Sequence, residues 1–169
     1  MNKLFFNFLF VCISALTFAQ DEADNLPLYG KAIHIDEVKE KESFLKWEDN
    51  FKKALKKSKK QNKPVLLYFT GSDWCGPCKV LDKKLFHSDK FKAIADKDLI
   101  LHEINNPQNK DLVTPKRMKE NYDLIRKYKV KSYPTLVFVN HKGAMIGYKK
   151  GLILTEYYYP FINSVIENY

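Results

Sequence analysis

Cysteine is scarce in this chain: there are three in 169 residues, at Cys12, Cys75 and Cys78. A domain that relied on disulfides to stay folded would carry more, so a cystine-stapled scaffold is excluded. Histidine is scarce too. His34, His87, His102 and His141 are scattered and form no close ligand pair, and a zinc site needs four ligands, so no metal is expected. Internal repeats are absent, and the only biased stretch is a lysine-rich one near residues 52–60. A long apolar run is lacking as well. Leu4 to Phe18 is apolar but short and broken by Asn7 and Ser14, which disfavours a permanent membrane span.

That run instead reads as a leader. Lys3 supplies the positive start, and Thr17-Phe18-Ala19 ends it at a cleavage site, so residues 1–19 are expected to be a signal peptide. Val11 stands before Cys12 where a lipoprotein leader has a small residue, so Cys12 reads as an ordinary leader residue. Residues 20–42 are polar and acidic and read as an extension, with Ala32-Ile33-His34-Ile35 as a candidate short edge strand. Residues 43–169 are then one domain, of a size that can bury a real core. Hydrophobic content of 45% and aromatic content of 14% suit a globular protein. The net charge of +9 could suit nucleic acid, but export and the lack of a basic surface interleaved with aromatics argue against it. Acidic membrane surfaces or client proteins suit that charge better.

The exported part retains two cysteines, two residues apart in Trp74-Cys75-Gly76-Pro77-Cys78-Lys79. Ahead of them Val65 to Phe69 is apolar, led in by Pro64. Behind them Leu81, Leu85 and Phe86 recur at helical spacing. This is a strand, a short turn and a helix, with both thiols where the helix begins. Thiols so spaced on one turn can bridge. The first lies among the unpaired N–H groups of a helix start, which favours thiolate and can lower a cysteine pKa from ~8.5 to about 7 or below. The thiolate is the nucleophile, so Cys75 is placed to attack a disulfide and Cys78 to resolve the mixed disulfide.

The run Trp-Cys-Gly-Pro-Cys-Lys resembles the active site of the thioredoxin superfamily, and the resemblance extends over about residues 43–169. It implies an α/β thioredoxin fold, a mixed central sheet flanked by helices on both faces. In Lys131-Ser132-Tyr133-Pro134-Thr135 it implies a cis bond before Pro134. The backbone of Tyr133 beside that proline would hold an extended substrate peptide. Trp74 is read as an apolar landing surface beside the thiols or as core packing, and Gly76 and Pro77 as setting the turn. One departure stands out. The family carries a buried acid six residues before the first cysteine; here that place holds Phe69, or Tyr68 if the turn is one residue longer. Asp73 and Glu103 are the substitutes in view.

The remaining elements follow from pattern. A helix is expected over Ser43 to Asn62, with Phe44, Trp47, Phe51, Ala54, Leu55 and Ser58 on one face and lysines elsewhere. Ser88 offers a second cap, giving one long helix with a break or two short ones. Leu99 to Ile104 reads as a strand. Thr114-Pro115 starts a further helix. Thr135 to Val139 is a strand, His141-Lys142-Gly143 a hairpin turn, and Thr155 to Asn168 a last helix. Pro160 either kinks that helix or sits in its first turn.

The function these readings imply is a thiol–disulfide oxidoreductase, secreted or periplasmic and without a cofactor. The Gly-Pro pair resembles reducing members. The resemblance implies disulfide-containing exported proteins as clients and a membrane-embedded thiol transporter as electron donor. The protein is expected to act as a monomer. The alternative is a peptide-binding or chaperone-like module on the same fold.

Overall fold

The computed structural model describes residues 45–169. The expected signal peptide, the expected acidic extension with its candidate strand, and the expected cap at Ser43 lie outside the described residues.

The sheet is built around β1 (Val65–Thr70), whose six residues are all buried. It pairs in parallel with β2 (Ile100–Asn105) and antiparallel with β3 (Thr135–Val139), which pairs antiparallel with β4 (Met145–Lys150). The order is β2-β1-β3-β4, a mixed sheet as expected. The parallel pair needs a crossover. The active-site helix α1 (Gly76–Leu81), a π-helical turn at Asp82–Phe86 and α2 (Asp89–Asp98) supply it. Of the two alternatives, the chain takes two helices: Ser88 Oγ accepts the Phe91 N–H and starts the second.

Strand residues alternate between two cores, because successive side chains leave opposite faces. Leu66, Tyr68, Leu101, Leu136 and Phe138 pack with Leu81, Leu85, Phe86 and Phe91. Tyr158 and Ile162 of the last helix, α3 (Tyr158–Glu167), join them. Val65, Leu67, Phe69, Ile100, Ile104, Val137 and Val139 face the other way. They meet Ala54 of the lysine-rich helix α4 (Phe51–Gln61) and Leu124 of α5 (Pro115–Lys127). Thr114 caps α5 and Pro115 opens it, as the sequence predicts. A 3-10 turn at Thr155–Tyr157 leads into the last helix, and Pro160 lies in that helix's first turn, where its missing N–H costs nothing.

The lysine-rich helix departs from expectation. It begins at Phe51, capped by Asn50, not at Ser43. Residues before it run along the edge of β2: Trp47 bridges Leu101, and the Glu48 N–H donates to the Leu101 carbonyl at 2.8 Å. Trp47 packs against Phe86 and Tyr68 in one core, whereas Phe51 and Leu55 pack in the other. One helix cannot put these residues on opposite sides of a sheet, so the chain crosses the edge extended and coils only afterwards. Among the described residues no helix is long and apolar enough to cross a membrane.

Phe138 is fully buried and meets Phe161 edge-to-face at 5.5 Å. Phe138→Ala is expected to lower unfolding stability by about 3–5 kcal/mol, read as a reduced denaturant midpoint.

Candidate active site

Strand β1 ends at Thr70, and the turn Gly71 to Trp74 delivers Cys75 as the N-cap of the active-site helix. The Cys75 and Trp74 N–H groups both donate to the Gly71 carbonyl, at 2.8 and 3.3 Å. Pro77 occupies the first turn, as a residue with no N–H to satisfy can. Cys75 and Cys78 are joined by a disulfide, with Cα atoms 5.2 Å apart. The Cys78 N–H lies 3.2 Å from the Cys75 sulfur, so a donor already points at the sulfur that would carry negative charge after reduction. With the bridge formed, Cys75 is 3% exposed and Cys78 1%, so the outer sulfur is only slightly the more open. Gly76 is exposed, and a Cβ there would meet nothing within 4 Å.

Trp74 is 41% exposed, which favours a surface role over core packing. Its indole N–H donates to the Asn106 carbonyl at 2.9 Å, and its ring meets Tyr133 edge-on at 5.5 Å. The Asn106 amide in turn donates to the Tyr133 hydroxyl at 3.2 Å. Asn105 exchanges hydrogen bonds with Ser72, its Oδ1 accepting the Ser72 N–H and its Nδ2 donating to the hydroxyl. The loop after β2 thus ties the cysteine turn to the Tyr133-Pro134 segment. Only asparagine-rich polarity marked this loop in the sequence, and the pattern carries no hint of its partners.

The Tyr133–Pro134 peptide is cis, as the resemblance implies. The Pro134 carbonyl accepts the Gly151 N–H at 2.8 Å, and Gly151 has the positive φ of 76° that glycine adopts without strain. That carbonyl is therefore taken. Among the described residues the Tyr133 backbone has no such partner.

The place of the missing acid is now fixed. Tyr68, not Phe69, lies beneath the active-site helix; its hydroxyl donates to the Cys78 carbonyl at 3.2 Å. Burial, the largest influence, pushes its phenol far above the ordinary range. Phe69 faces the opposite core. Asp73 is not a substitute. Its carboxylate accepts the N–H groups of Asn109 and Gln108 at 2.8 and 3.1 Å. Those bonds hold its pKa below the ordinary value, which makes it a poor base. Glu103 stands beside Tyr68 in the parallel register and is only partly exposed. Burial first, then repulsion from Asp82, raises its pKa against the pull of Arg117.

A model of the thioredoxin-like domain matches residues 51–165. The chain belongs to the thioredoxin-like family. Within it, the chain is 37% identical over 110 residues to a protein of Chlamydia pneumoniae named disulfide bond reductase DsbH, covering 63% of this chain and 65% of that one. It is 29% identical over 96 residues to thioredoxin-related protein DsbJ of the same organism, covering 57% of this chain and 27% of that one. The match thus spans less than two thirds of either curated relative. A solved structure titled DsbH oxidoreductase superposes with a TM-score of 0.66 at 31% identity, covering 73% of this chain and 85% of that one.

Two predictions follow from local geometry. The Trp74 indole lies so close over Gly71 that any Cβ there would overlap its ring. Gly71→Ala is therefore expected to displace the indole and break its bond to Asn106, read as a shift in Trp74 fluorescence against a Trp47→Phe background. The second concerns His102, which is fully buried, with Nδ1 on the Glu48 carbonyl at 2.7 Å and, among the described residues, no partner for Nε2. Burial, the largest cause, lowers its pKa from the ordinary 6.5. The unfolded chain then binds the proton more readily, so this contribution to stability is whole above about pH 6.5 and declines as pH falls below it. Denaturant midpoints measured from pH 8 to 5 should decline less steeply in His102→Gln.

Proposed function

We propose that this chain is a thiol–disulfide oxidoreductase that reduces disulfides of exported proteins by dithiol exchange. The observation that carries the reading is the Cys75–Cys78 disulfide at the start of a helix in a thioredoxin-like domain. Likeness to a protein named disulfide bond reductase supports the reducing direction, as does the Gly76-Pro77 pair.

The reaction runs in two steps. Reduced Cys75, as thiolate, attacks a client sulfur along the S–S axis; the client's other sulfur leaves with the bonding electron pair and is protonated. The Cys78 N–H stabilises the Cys75 thiolate beforehand, and the helix start adds to that field. Cys78 then loses its proton and attacks the Cys75 sulfur. The second client sulfur leaves as thiolate, and the pair becomes the disulfide. The client gains two electrons and the cysteine pair loses two. Trp74 and the ring of Tyr133 present apolar surface to the client, and the backbone of Tyr133 pairs with its extended chain beside Pro134. The residues need no cofactor for this chemistry. Electrons return to the pair from an outside dithiol, and we assign that role to a membrane-embedded thiol transporter. The site of action is the periplasm or the exterior, after loss of the leader, and the working unit is a monomer.

Cys75→Ser is expected to abolish reduction of a model protein disulfide, at least about a hundredfold in initial rate. Cys78→Ser should instead accumulate a mixed disulfide, visible by mass. Client binding that persists undiminished when both thiols are replaced, with wild-type turnover absent, would favour the peptide-binding module and sink the enzyme.

A further inference from the structure

A buried thiol that must give up a proton needs somewhere to put it. Cys78 is 1% exposed, and its nearest polar neighbour in the sheet cannot help. The Tyr68 hydroxyl already donates to the Cys78 carbonyl, and burial keeps the phenol neutral at working pH. Asp73 is held by two backbone N–H groups. Two other carboxyls act on Tyr68. Glu103 is the direct neighbour of Tyr68 across the parallel ladder and shares its face, since paired residues of adjacent strands point the same way. Asp82 follows Cys78 by one helical turn, and its N–H donates to the Cys78 carbonyl. These two carboxyls repel each other, and the field of both reaches the Tyr68 hydroxyl, 3.2 Å from the Cys78 carbonyl. Asp82 is half exposed, with the His87 ring 3.6 Å from its carboxyl. Glu103 has no such partner for its carboxyl among the described residues; the Arg117 guanidinium donates to its backbone carbonyl instead, at 2.7 Å. Tyr158 is the remaining titratable group acting on Tyr68. Glu103 also lines an open cavity of about 660 Å³ at the β2 edge, shared with Trp47, Thr114 and Arg117.

We propose that Glu103 takes up the proton of Cys78 when the mixed disulfide is resolved and hands it to solvent through the cavity at the β2 edge. The role rests on the oxidoreductase reading above. In this step the Cys78 S–H bond breaks and its proton passes to the Glu103 carboxylate, directly or through one water. The freed sulfur bonds to Cys75, the bond from Cys75 to the client breaks, and the client sulfur leaves with that electron pair. Glu103, now neutral, then releases the proton to water in the cavity. Its raised proton affinity suits the task, because a base works best when its pKa approaches the operating pH. The field of Asp82 contributes to that rise, so Asp82 acts as a positioning charge.

The test is single-turnover reduction of a disulfide-bonded peptide by the reduced full chain, with acid quench and alkylation to count the mixed disulfide. In Glu103→Gln the mixed disulfide should live at least about tenfold longer, since a positioned base contributes about 10²–10⁴-fold and water replaces part of it. Its resolution rate should also rise steadily with pH where the parent levels off. Glu103→Asp should recover most of the rate, with the inflection moved. An unchanged lifetime and pH profile in Glu103→Gln overturns the role. Should that variant not fold, an unmoved inflection in Glu103→Asp or Asp82→Asn overturns it instead. A Cys78→Ser chain that never forms the mixed disulfide sinks the oxidoreductase reading itself, and this role with it.

Discussion

Complete burial of β1 is the constraint on which the rest depends. Every residue from Val65 to Thr70 is closed off from solvent, with a strand on each side and a core on each face. Such a strand has nowhere to move. The turn that follows it therefore begins from a fixed point, and Cys75 starts its helix with the Gly71 carbonyl already accepting the cysteine's own N–H. Reactive sulfur chemistry needs alignment along the S–S axis, and a rigid strand end provides it better than a free loop would.

The two faces of β1 divide the work. One face holds the apolar Phe69, Leu67 and Val65 against α4 and α5, with the buried imidazole of His102 on the next strand beside Leu67. The other holds Leu66 and Tyr68 under the active-site helix, and there acidic groups enter: Glu103 on the next strand and Asp82 at the end of the helix, beside the Tyr68 phenol. A buried carboxyl with a raised pKa costs folding free energy at neutral pH, because the unfolded chain ionises it freely. A core that tolerates that cost just below a reactive thiol is one in which stability and chemistry compete, and here the apolar face opposite supplies the compensating burial.

Around the thiols, the end of β2 and the loop after it brace the cysteine turn. Asn105 grips Ser72, Asn106 grips both Trp74 and Tyr133, and Asp73 accepts from Gln108 and Asn109. None of these bonds lies within an element. They link two segments about thirty residues apart in sequence, so the surface offered to a client is assembled from both.

The local pattern was enough for the strand, the turn and the helix around Cys75 and Cys78, and for the caps at Ser88 and Thr114. Those follow from side-chain alternation, helical spacing and capping chemistry, which act over a few residues. It failed where a residue's partner is remote. Trp47 fits the period of the helix that follows it, yet pairs with Leu101 across the sheet edge, and periodicity cannot tell which core a residue will join. Whether Tyr68 or Phe69 underlies the active-site helix turned on a single residue of register, since a strand reverses its faces at each step. The discarding of Asp73, the siting of Glu103 beside Tyr68 and the asparagine clamp on Trp74 were likewise decided only by folding. The reason is that a carboxyl's proton affinity depends on what is buried around it, and burial is set by the whole chain.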